Sequence, residues 1–336
     1  MATADGGAIF AAGGNVVIHE VAAETTVEGN QAANGGGIAM IRSGTATVCD
    51  LSVTGATLTA NSASLRGGAV YLEGTTPSGN ATLTAAFVDT TIGGATTNEG
   101  NDANEGGGLA AVTSASLALD DATTISHNDA SNAGGGMLLV GEIEVTGPTA
   151  PPTAPSIDHN TSSGHGGGMD IDGLCTLTNL IVASNTATGQ GGGMRITLPT
   201  GTMYMTAVRI EDNQSGTETS GEGGGITFTT GSVRMQDCEL WDNRGVTGGG
   251  MVLQADSSVL YLQGSVLRNG WDLTTDLGGG AWIKSGQGSL DVVTSDWGTA
   301  ATDNLPFDVY TVAGSTHEFS GYGAGASFSC DNQGCN

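Results

Sequence analysis

The sequence predicts an all-β protein wound into a parallel β-helix, or solenoid, of about ten coils with three short strands per coil. The leading observation is a block of two or three glycines that recurs ten times, at intervals of 25 to 40 residues. Alternating apolar residues follow every block, and a motif of an apolar residue, two variable residues and asparagine precedes most of them. Such a period is typical of repeat proteins, in which each unit buries its apolar face by stacking on its neighbours.

The composition narrows the range of partners. The 336 residues include 34 acidic and 8 basic side chains, which gives a net charge of −26 at pH 7. Binding of nucleic acid requires basic side chains that neutralise phosphates, so we expect no nucleic-acid partner. The sequence has no long uninterrupted apolar run, so we expect no membrane-spanning segment.

The first element of each repeat is a strand that follows the glycine block. The residues one and three places after the last glycine are apolar in all ten repeats, as in Ile38 and Met40 or Met137 and Leu139. Alternation with a period of two is the mark of a strand with one buried face. The glycines predict a bend before this strand, because a close approach of two backbones leaves no room for a Cβ atom.

The second marker is the asparagine, which predicts another bend. Asparagine tolerates left-handed backbone, and stacked asparagines can bond to one another from coil to coil. A further alternating run, such as 45–53 or 231–240, lies between the two markers and completes a coil of three strands. Helical repeats are a poor alternative, since each glycine costs about 1 kcal/mol relative to alanine inside a helix. The motif ends at Asn30, Asn61, Asn128, Asn160, Asn185, Asn213, Asn243 and Asn269.

Together, the motifs Gly-Gly-(Gly/Ala)-apolar and apolar-x-x-Asn resemble the repeats of polymorphic outer-membrane proteins and related bacterial surface β-helix proteins. The resemblance covers roughly residues 6–304. It implies a right-handed β-helix that is exported, displayed at the cell surface and often adhesive, with surface glycans or proteins as targets. One departure is that Ile, Val or Leu stands where the family has Phe.

The expected organisation is a single domain. Residues 1–304 form the β-helix repeats, and residues 305–336 form an irregular last coil and a C-terminal cap, because the motif is lost after Asn304 while alternation persists. The first residues do not resemble a basic and apolar signal peptide. We therefore expect a mature exported form, located outside the cell or on its surface.

An apolar strip is expected on the outward face of the post-glycine strands in the first five coils. A contiguous exposed apolar surface usually marks an interface. Either a loop of the same chain, such as the proline-rich segment 147–155, covers this strip, or a second copy does. With a glycine block at residues 6–7, this predicts head-to-tail self-association into a filament. The interface candidates are Ile9, Ile41, Val70, Leu72, Val112, Leu138 and Val140.

A polysaccharide-active enzyme or a carbohydrate-binding spike is the alternative function. Asp170 and Asp172 share one outward face, and Arg195 is expected one coil away beside Asp170. Glycoside hydrolysis uses two carboxylates at a defined separation. An ion-pair ladder on a solvated strand explains the same pattern, so a non-enzymatic protein is favoured and the enzyme question stays open.

Calcium is the leading cofactor candidate, although the sequence assigns no cofactor firmly. Ca²⁺ binds six to eight oxygen ligands, and acidic residues cluster in the bends before three glycine blocks. Their spacing matches no standard calcium-binding loop. The candidate ligands are Glu99, Asp102 and Glu105, then Glu218 and Glu222, then Asp272 and Asp276.

The cysteines divide into two groups. Cys330 and Cys335 are close together in a loop-like tail, a spacing that permits a small disulfide. Cys49, Cys175 and Cys238 lie in strand-like runs, where buried free thiols are expected.

Overall fold

The computed structural model confirms the predicted all-β parallel β-helix. It describes residues 4–20, 25–42, 48–75, 83–216, 220–254, 259–268, 270–272, 279–284, 289–293, 304, 309–311 and 330–331. Every helix or strand element in these ranges is a β-strand, and the strands form parallel ladders that run along the stack of coils. Up to Asp272, each coil contributes one segment to each of four ladders.

The first ladder is the strand that follows the glycine block, as the sequence predicts. Its members are β1 (Ile9–Ala12), β5 (Ile38–Ile41), β9 (Val70–Glu73), β13 (Leu109–Leu119), β16 (Met137–Thr146), β19 (Met169–Asp172), β22 (Met194–Glu211), β24 (Ile226–Gln236), β27 (Met251–Leu253), β31 (Ala281–Ile283), β33 (Val309–Thr311) and β34 (Cys330–Asp331).

The second and third ladders complete the main 25-stranded sheet. The second contains β2 (Gly14–His19), β6 (Cys49–Thr54), β10 (Leu83–Val88), β20 (Cys175–Ala183), β28 (Val259–Gln263) and β32 (Ser289–Val293), with later parts of β13, β16, β22 and β24. The third contains β3 (Thr25–Glu28), β7 (Ala56–Thr59), β11 (Thr91–Gly93), β14 (Thr124–Ser126), β17 (Ser156–Asp158), β25 (Glu239–Trp241) and β29 (Val266–Arg268), with the ends of β20 and β22.

A short fourth ladder, absent from the prediction of three strands, lies between the asparagine and the glycine block. Its nine strands are β4 (Gln31–Asn34), β8 (Ser62–Arg66), β12 (Asp102–Glu105), β15 (Asp129–Ala133), β18 (Thr161–Ser162), β21 (Thr186–Ala187), β23 (Gln214–Ser215), β26 (Arg244–Gly245) and β30 (Trp271–Asp272). Nine successive strands enclose about eight complete turns. This is slightly fewer than the ten coils predicted, because the prediction counted glycine blocks rather than completed turns.

The core is a set of apolar columns along the axis of the stack. In the first ladder, Ile38, Val70, Leu109, Met137 and Met169 occupy one column and are fully buried. A buried side chain of this size contributes about 1.5–3 kcal/mol. Because each member packs between its counterparts in the coils above and below, the core is built by stacking.

The register corrects the expected place of the strand in two repeats. Ile9, Ile38 and Val70 occupy one column. Consequently Ala8 and Ala69 take the place of the third glycine, and they do not begin the alternation. The inward and outward faces of β1 and β9 are therefore exchanged relative to the sequence-based prediction.

The middle glycine of the block is required by a close approach of backbones. A Cβ atom on Gly135 would lie 2.3 Å from the carbonyl oxygens of both Gly167 and Thr161, in the next coil. This distance is far below van der Waals contact, so the prediction that close packing excludes a side chain at the bend is confirmed here.

The left-handed residue at the other bend precedes the asparagine. His127, His159, Ser184, Asp212 and Asp242 each have φ between 51° and 58°, and each stands immediately before a motif asparagine. The asparagine is thereby free to turn its amide inward.

The predicted division at residue 304 stays a prediction, because the structure describes little of residues 305–336. In that segment β33 and β34 extend the first ladder, with Val309 opposite Ala281 and Cys330 opposite Val309.

Candidate functional site

The predicted trio Asp170, Asp172 and Arg195 lies on the outward face of the first ladder. Asp170 pairs in register with Arg195, and Asp172 pairs with Thr197. The Arg195 guanidinium donates from Nε to Asp170 Oδ1 at 2.6 Å and from Nη2 to Oδ2 at 2.7 Å. The predicted juxtaposition of Asp170 and Arg195 is therefore present. Their catalytic role stays a prediction.

The surroundings of Asp170 are those of an internal ion pair. Its side chain is buried, whereas that of Asp172 is exposed. Burial raises the pKa of the Asp170 carboxyl, an effect opposed by the hydrogen bonds and charge of Arg195. Burial, with the charge of Arg195, lowers the pKa of nearby His165, whose Nδ1 accepts the Gln190 N–H at 3.3 Å. Since both Asp170 oxygens accept from one arginine, a substrate would have to displace Arg195 to reach them.

Glu222 anchors a second polar cluster further along the same face. Its carboxylate accepts from Gln190 Nε2 at 3.3 Å, from Gln254 Nε2, and from Lys284 Nζ at 2.5 Å. These donors come from three different coils. These hydrogen bonds connect neighbouring coils. The sequence suggested Glu222 only as a calcium ligand and did not predict this cluster.

Three of the proposed interface residues face the core. Val70 and Leu72 are fully buried in the main core, and Ile9 packs against the same cluster. Their assignment to an outward strip is wrong, because Ala8 and Ala69 were counted as strand residues rather than as members of the glycine bend.

The remaining strip faces outward but is largely covered by its own chain. Leu138 and Val112 are 3% and 6% exposed, and Ile41 and Val140 are partly buried beside them. The first glycine of each block folds back onto this face, so that a Cβ atom on Gly106 would lie 3.1 Å from the Cβ of Ala110.

The proline-rich segment does not cover the strip. Residues 147–155 connect β16 to β17, at the bend between the second and third ladders. Within the described residues, this face therefore offers little exposed apolar surface to a second copy.

The described calcium candidates are engaged by other groups. Glu99 Oε2 accepts the N–H groups of Ala95 and Thr96 at 2.8 and 3.1 Å. Glu105 accepts from Arg66 Nε at 2.9 Å, and Asp102 accepts from the Ser62 hydroxyl at 2.8 Å.

Calcium binding stays a prediction. In the described part of the chain, no three His, Cys, Asp or Glu side chains cluster in a way that could hold a metal ion. Glu218, Asp276 and the side chain of Asp272 lie outside the described residues.

The cysteines in strands are buried free thiols, as predicted. Cys49, Cys175 and Cys238 have no disulfide partner. Burial raises the pKa of the Cys175 and Cys238 thiols to about 12, so these thiols stay protonated and unreactive at neutral pH. The proposed Cys330–Cys335 disulfide involves Cys335 and the side chain of Cys330, which lie outside the described residues.

The most regular polar structure is a ladder of asparagine side chains inside the stack. From the second rung on, each Oδ1 accepts two bonds from the preceding rung, one from its backbone N–H and one from its Nδ2, at 2.8–3.1 Å. From the second rung on, each Nδ2 also donates to a backbone carbonyl of the preceding coil, as Asn160 does to Ile125. The rungs that bond to one another are Asn30, Asn61, Asn101, Asn128, Asn160, Asn185, Asn213 and Asn243. Asn304 continues the pattern, since its Oδ1 accepts the Gly270 N–H at 2.9 Å and its Nδ2 donates to the Leu267 carbonyl at 3.1 Å.

One rung, Asn101, was not predicted. Nine positions separate Ile92 from Asn101, whereas three separate Ile125 from Asn128, so the spacing of the motif is broken there. In the structure, the bond from Asn128 Nδ2 to the Ile92 carbonyl shows the register of these two coils, which one sequence alone does not reveal. Asn269, the last predicted member, lies outside the described residues.

The first coil, β1 to β4, presents a different surface, which we call the first-coil edge. Within the described residues its strands pair with the second coil only. Its inward residues Ile9, Ala11, Val16 and Ile18 pack against the core but are only partly buried. At β4 the open side is already occupied, since the Ala33 N–H donates to the Ala4 carbonyl at 2.9 Å. Along β1 to β3, the edge combines strand backbone that pairs on one side, within the described residues, with apolar core side chains.

No protein-family model, no curated protein and no solved structure matches this chain. Among the described residues, the chain forms no helix with the length and apolarity needed to cross a bilayer.

Proposed function

We propose that this chain is a non-enzymatic structural protein of the cell surface that associates head to tail with further copies, forming a filament or a surface assembly. The observation that carries the proposal is the first-coil edge, where apolar columns of the core are covered on one side only among the described residues. Exposed apolar surface and unpaired strand backbone both favour docking of another strand layer.

The columns in the second ladder support this function. Val16 pairs with Leu51 and Ile18 with Val53, and both partners in the second coil are buried. Covering Val16 and Ile18 to the same extent requires another coil on their open side. A coil of a second copy supplies apolar residues with the matching alternation, so the association continues the core.

Surface location is the second part of the proposal. It is supported by the resemblance of the glycine and asparagine motifs to bacterial surface β-helix repeats, and the strongly acidic composition is compatible with it. Adhesive contacts with surface glycans or proteins would then use the outward faces. Accessibility of the protein to antibody or protease on intact cells tests this part, and full protection there would contradict it.

The association itself is tested with a matched pair of variants in the first coil. Val16 faces the core, whereas its neighbour Val17 faces outward and is 65% exposed. Sedimentation velocity and electron microscopy over a dilution series would compare wild type, Val16→Glu and Val17→Glu. We expect fibres or oligomers for wild type and Val17→Glu, and dissociation for Val16→Glu because its charge would be buried at the contact.

Circular dichroism of all three proteins provides the control for folding. Wild-type protein that stays monomeric at every concentration would contradict the proposal, and so would equal association of both variants. The carbohydrate-active alternative has less support, because Asp170 is buried and both of its oxygens accept from Arg195.

A further inference from the structure

We propose that the outward face of the second ladder binds a neutral polysaccharide chain that lies along the stack of coils. This inference rests on the adhesive part of the proposed function and names the class of its target, without requiring that copies associate. The site is separate from the pair of Asp170 and Arg195 on the first ladder. We call it the Tyr204 face, and it consists of Ser116, Glu142, Glu144, Leu174, Thr176 and Tyr204.

The register of the strands aligns most of this face along the stack. Ser116 of β13 pairs with Glu144 of β16, which pairs with Thr176 of β20. Thr176 in turn pairs with Tyr204 of β22. Neighbouring strands are about 4.8 Å apart, so the column presents one side chain per coil at a regular interval. A linear polymer that lies along the column can therefore contact a side chain of every coil.

A groove of about 620 Å³ opens on this face. Glu142, Glu144 and Thr176 supply polar groups to its lining, and the exposed side chain of Leu174 supplies an apolar contact. Tyr204 stands one coil beyond Thr176 in the same column. Ligand sites combine apolar contact area with a small number of polar groups that fix the orientation of the ligand, and this face has both.

The polar groups of the Tyr204 face have spare hydrogen-bonding capacity, unlike other acidic groups of the chain. Glu142 has no hydrogen-bond partner among the described residues, and Glu144 accepts only from the Ser116 hydroxyl, at 3.5 Å. By contrast, Glu222 accepts from three side chains. The Tyr204 hydroxyl also bonds to no described residue. Contacts within the described chain therefore leave these groups available to a ligand.

The chemistry of the face favours a neutral sugar polymer over a charged one. Sugar hydroxyls donate and accept, so they match the carboxylates and the hydroxyl side chains alike. Basic side chains only donate, so they could not accept from the hydroxyls, and an anionic polymer would be repelled by Glu142 and Glu144. A further row of hydroxyls runs beside the face in register, at Thr146, Thr178 and Thr206.

The ring of Tyr204 completes the match. One face of a pyranose ring carries mainly C–H groups, which pack against the face of an aromatic ring, and Tyr204 is 51% exposed. Among the described side chains, the other exposed aromatic residue is Phe10, which lies on the first ladder. Phe10 therefore provides a matched control for the loss of an exposed ring outside the site.

The test is isothermal titration calorimetry with four neutral hexasaccharides, namely cellohexaose, laminarihexaose, mannohexaose and the hexamer of N-acetylglucosamine. We expect at least one to bind wild type. Tyr204→Ala should raise its dissociation constant about tenfold through the loss of stacking, whereas Tyr204→Phe should stay within about twofold of wild type. Glu142→Gln should also raise it about tenfold, because a charge-assisted hydrogen bond is lost. The controls Phe10→Ala and Glu28→Gln, an exposed carboxylate on the third ladder, should match wild type.

Three results would overturn the inference. They are failure of all four hexasaccharides to bind at millimolar concentration, equal affinity of Tyr204→Ala and wild type, and binding of decalysine in place of the sugars. Binding of a neutral sugar should also change little between about 0.05 and 0.5 M NaCl. Circular dichroism verifies that each variant is folded, and Tyr204→Phe and Glu142→Gln conserve size.

The outcomes separate this inference from the structural function. If wild type associates in sedimentation velocity but binds no hexasaccharide, the Tyr204 face is overturned and head-to-tail association stands. If wild type stays monomeric but Tyr204→Ala weakens sugar binding, association fails and the Tyr204 face stands.

Discussion

The first coil and the interior coils place equivalent residues in opposite surroundings. In the outward column of the first ladder, Phe10 of the first coil is 54% exposed, whereas Asp170 in the interior is 2% exposed and paired with Arg195. In the asparagine ladder, Asn160 bonds to rungs on both sides, whereas Asn30 bonds to a rung on one side. A coil of this protein therefore acquires its buried environment from two neighbours.

This difference explains how a strongly acidic chain tolerates a buried charge on the outward face of the first ladder. Asp170 is buried because the next coil presents a guanidinium at hydrogen-bonding distance from both of its oxygens. The free energy of such a pair depends on both partners, because removal of one leaves an uncompensated buried charge. Changes in interior coils should accordingly have larger effects than the same changes in the first coil.

The largest effect is expected for Arg195→Ala. The variant leaves the Asp170 carboxylate buried without its partner, which should reduce the free energy of unfolding at neutral pH by about 3–5 kcal/mol. Phe10→Ala in the same column is the control, with an expected loss of about 1 kcal/mol or less because Phe10 is half exposed. Urea unfolding followed by circular dichroism measures both.

The loss caused by Arg195→Ala should also depend on pH. Burial raises the pKa of Asp170 above its usual value of 3.8, so the folded protein holds this proton to higher pH than the unfolded chain does. The stability that this group contributes is thus fully present below pH 3.8 and is lost as pH rises through the folded pKa. Loss of the opposing arginine raises the pKa further, so the deficit of the variant should be largest at neutral pH and shrink towards pH 4. A deficit that does not change with pH would show that the arginine acts through packing alone.

A smaller contrast is expected between Asn160→Ala and Asn30→Ala. Asn160→Ala removes bonds to Asn128, Asn185 and the Ile125 carbonyl, and it leaves buried polar groups without partners. We expect a loss of about 2–4 kcal/mol there, and about 1 kcal/mol or less at the partly exposed Asn30. Thermal and urea unfolding of the monomer at low concentration measure both variants. Equal losses would mean that the ladder contributes little beyond filling space.

The contrast between coils also separates what the sequence could predict from what it could not. Three of the four ladders, the glycine bend and the pairing of Asp170 with Arg195 follow from spacing, because a repeat places equivalent residues one above another. The apolar alternation of Met137 and Leu139 likewise predicts a strand with one buried face.

The predictions that were wrong or incomplete concern features that depend on contacts between coils. Ala69 replaces a glycine, and this single substitution reverses which side chains of β9 face inward, because the side-chain period of a strand is two residues. Asn101 was missed because an insertion hides its spacing from Ile92, while its hydrogen bonds depend on register. The burial of Leu138 depends on a bend that folds over it, which no periodicity reveals.

The smallest expected effect is that of salt on association. Copies that each carry a charge of −26 repel one another, and added salt screens that repulsion with a Debye length of about 10 Å at 0.1 M. If the apolar columns of the first-coil edge form the contact, NaCl should tighten association a few-fold between about 0.05 and 0.5 M. Weaker association at high salt would instead indicate a contact made by opposite charges, which the first-coil edge does not provide.

CaCl₂ at matched ionic strength should act like NaCl unless the acidic bends bind calcium. An excess effect of CaCl₂ that Glu99→Gln, Asp102→Asn or Glu105→Gln abolishes would locate the ion in that bend.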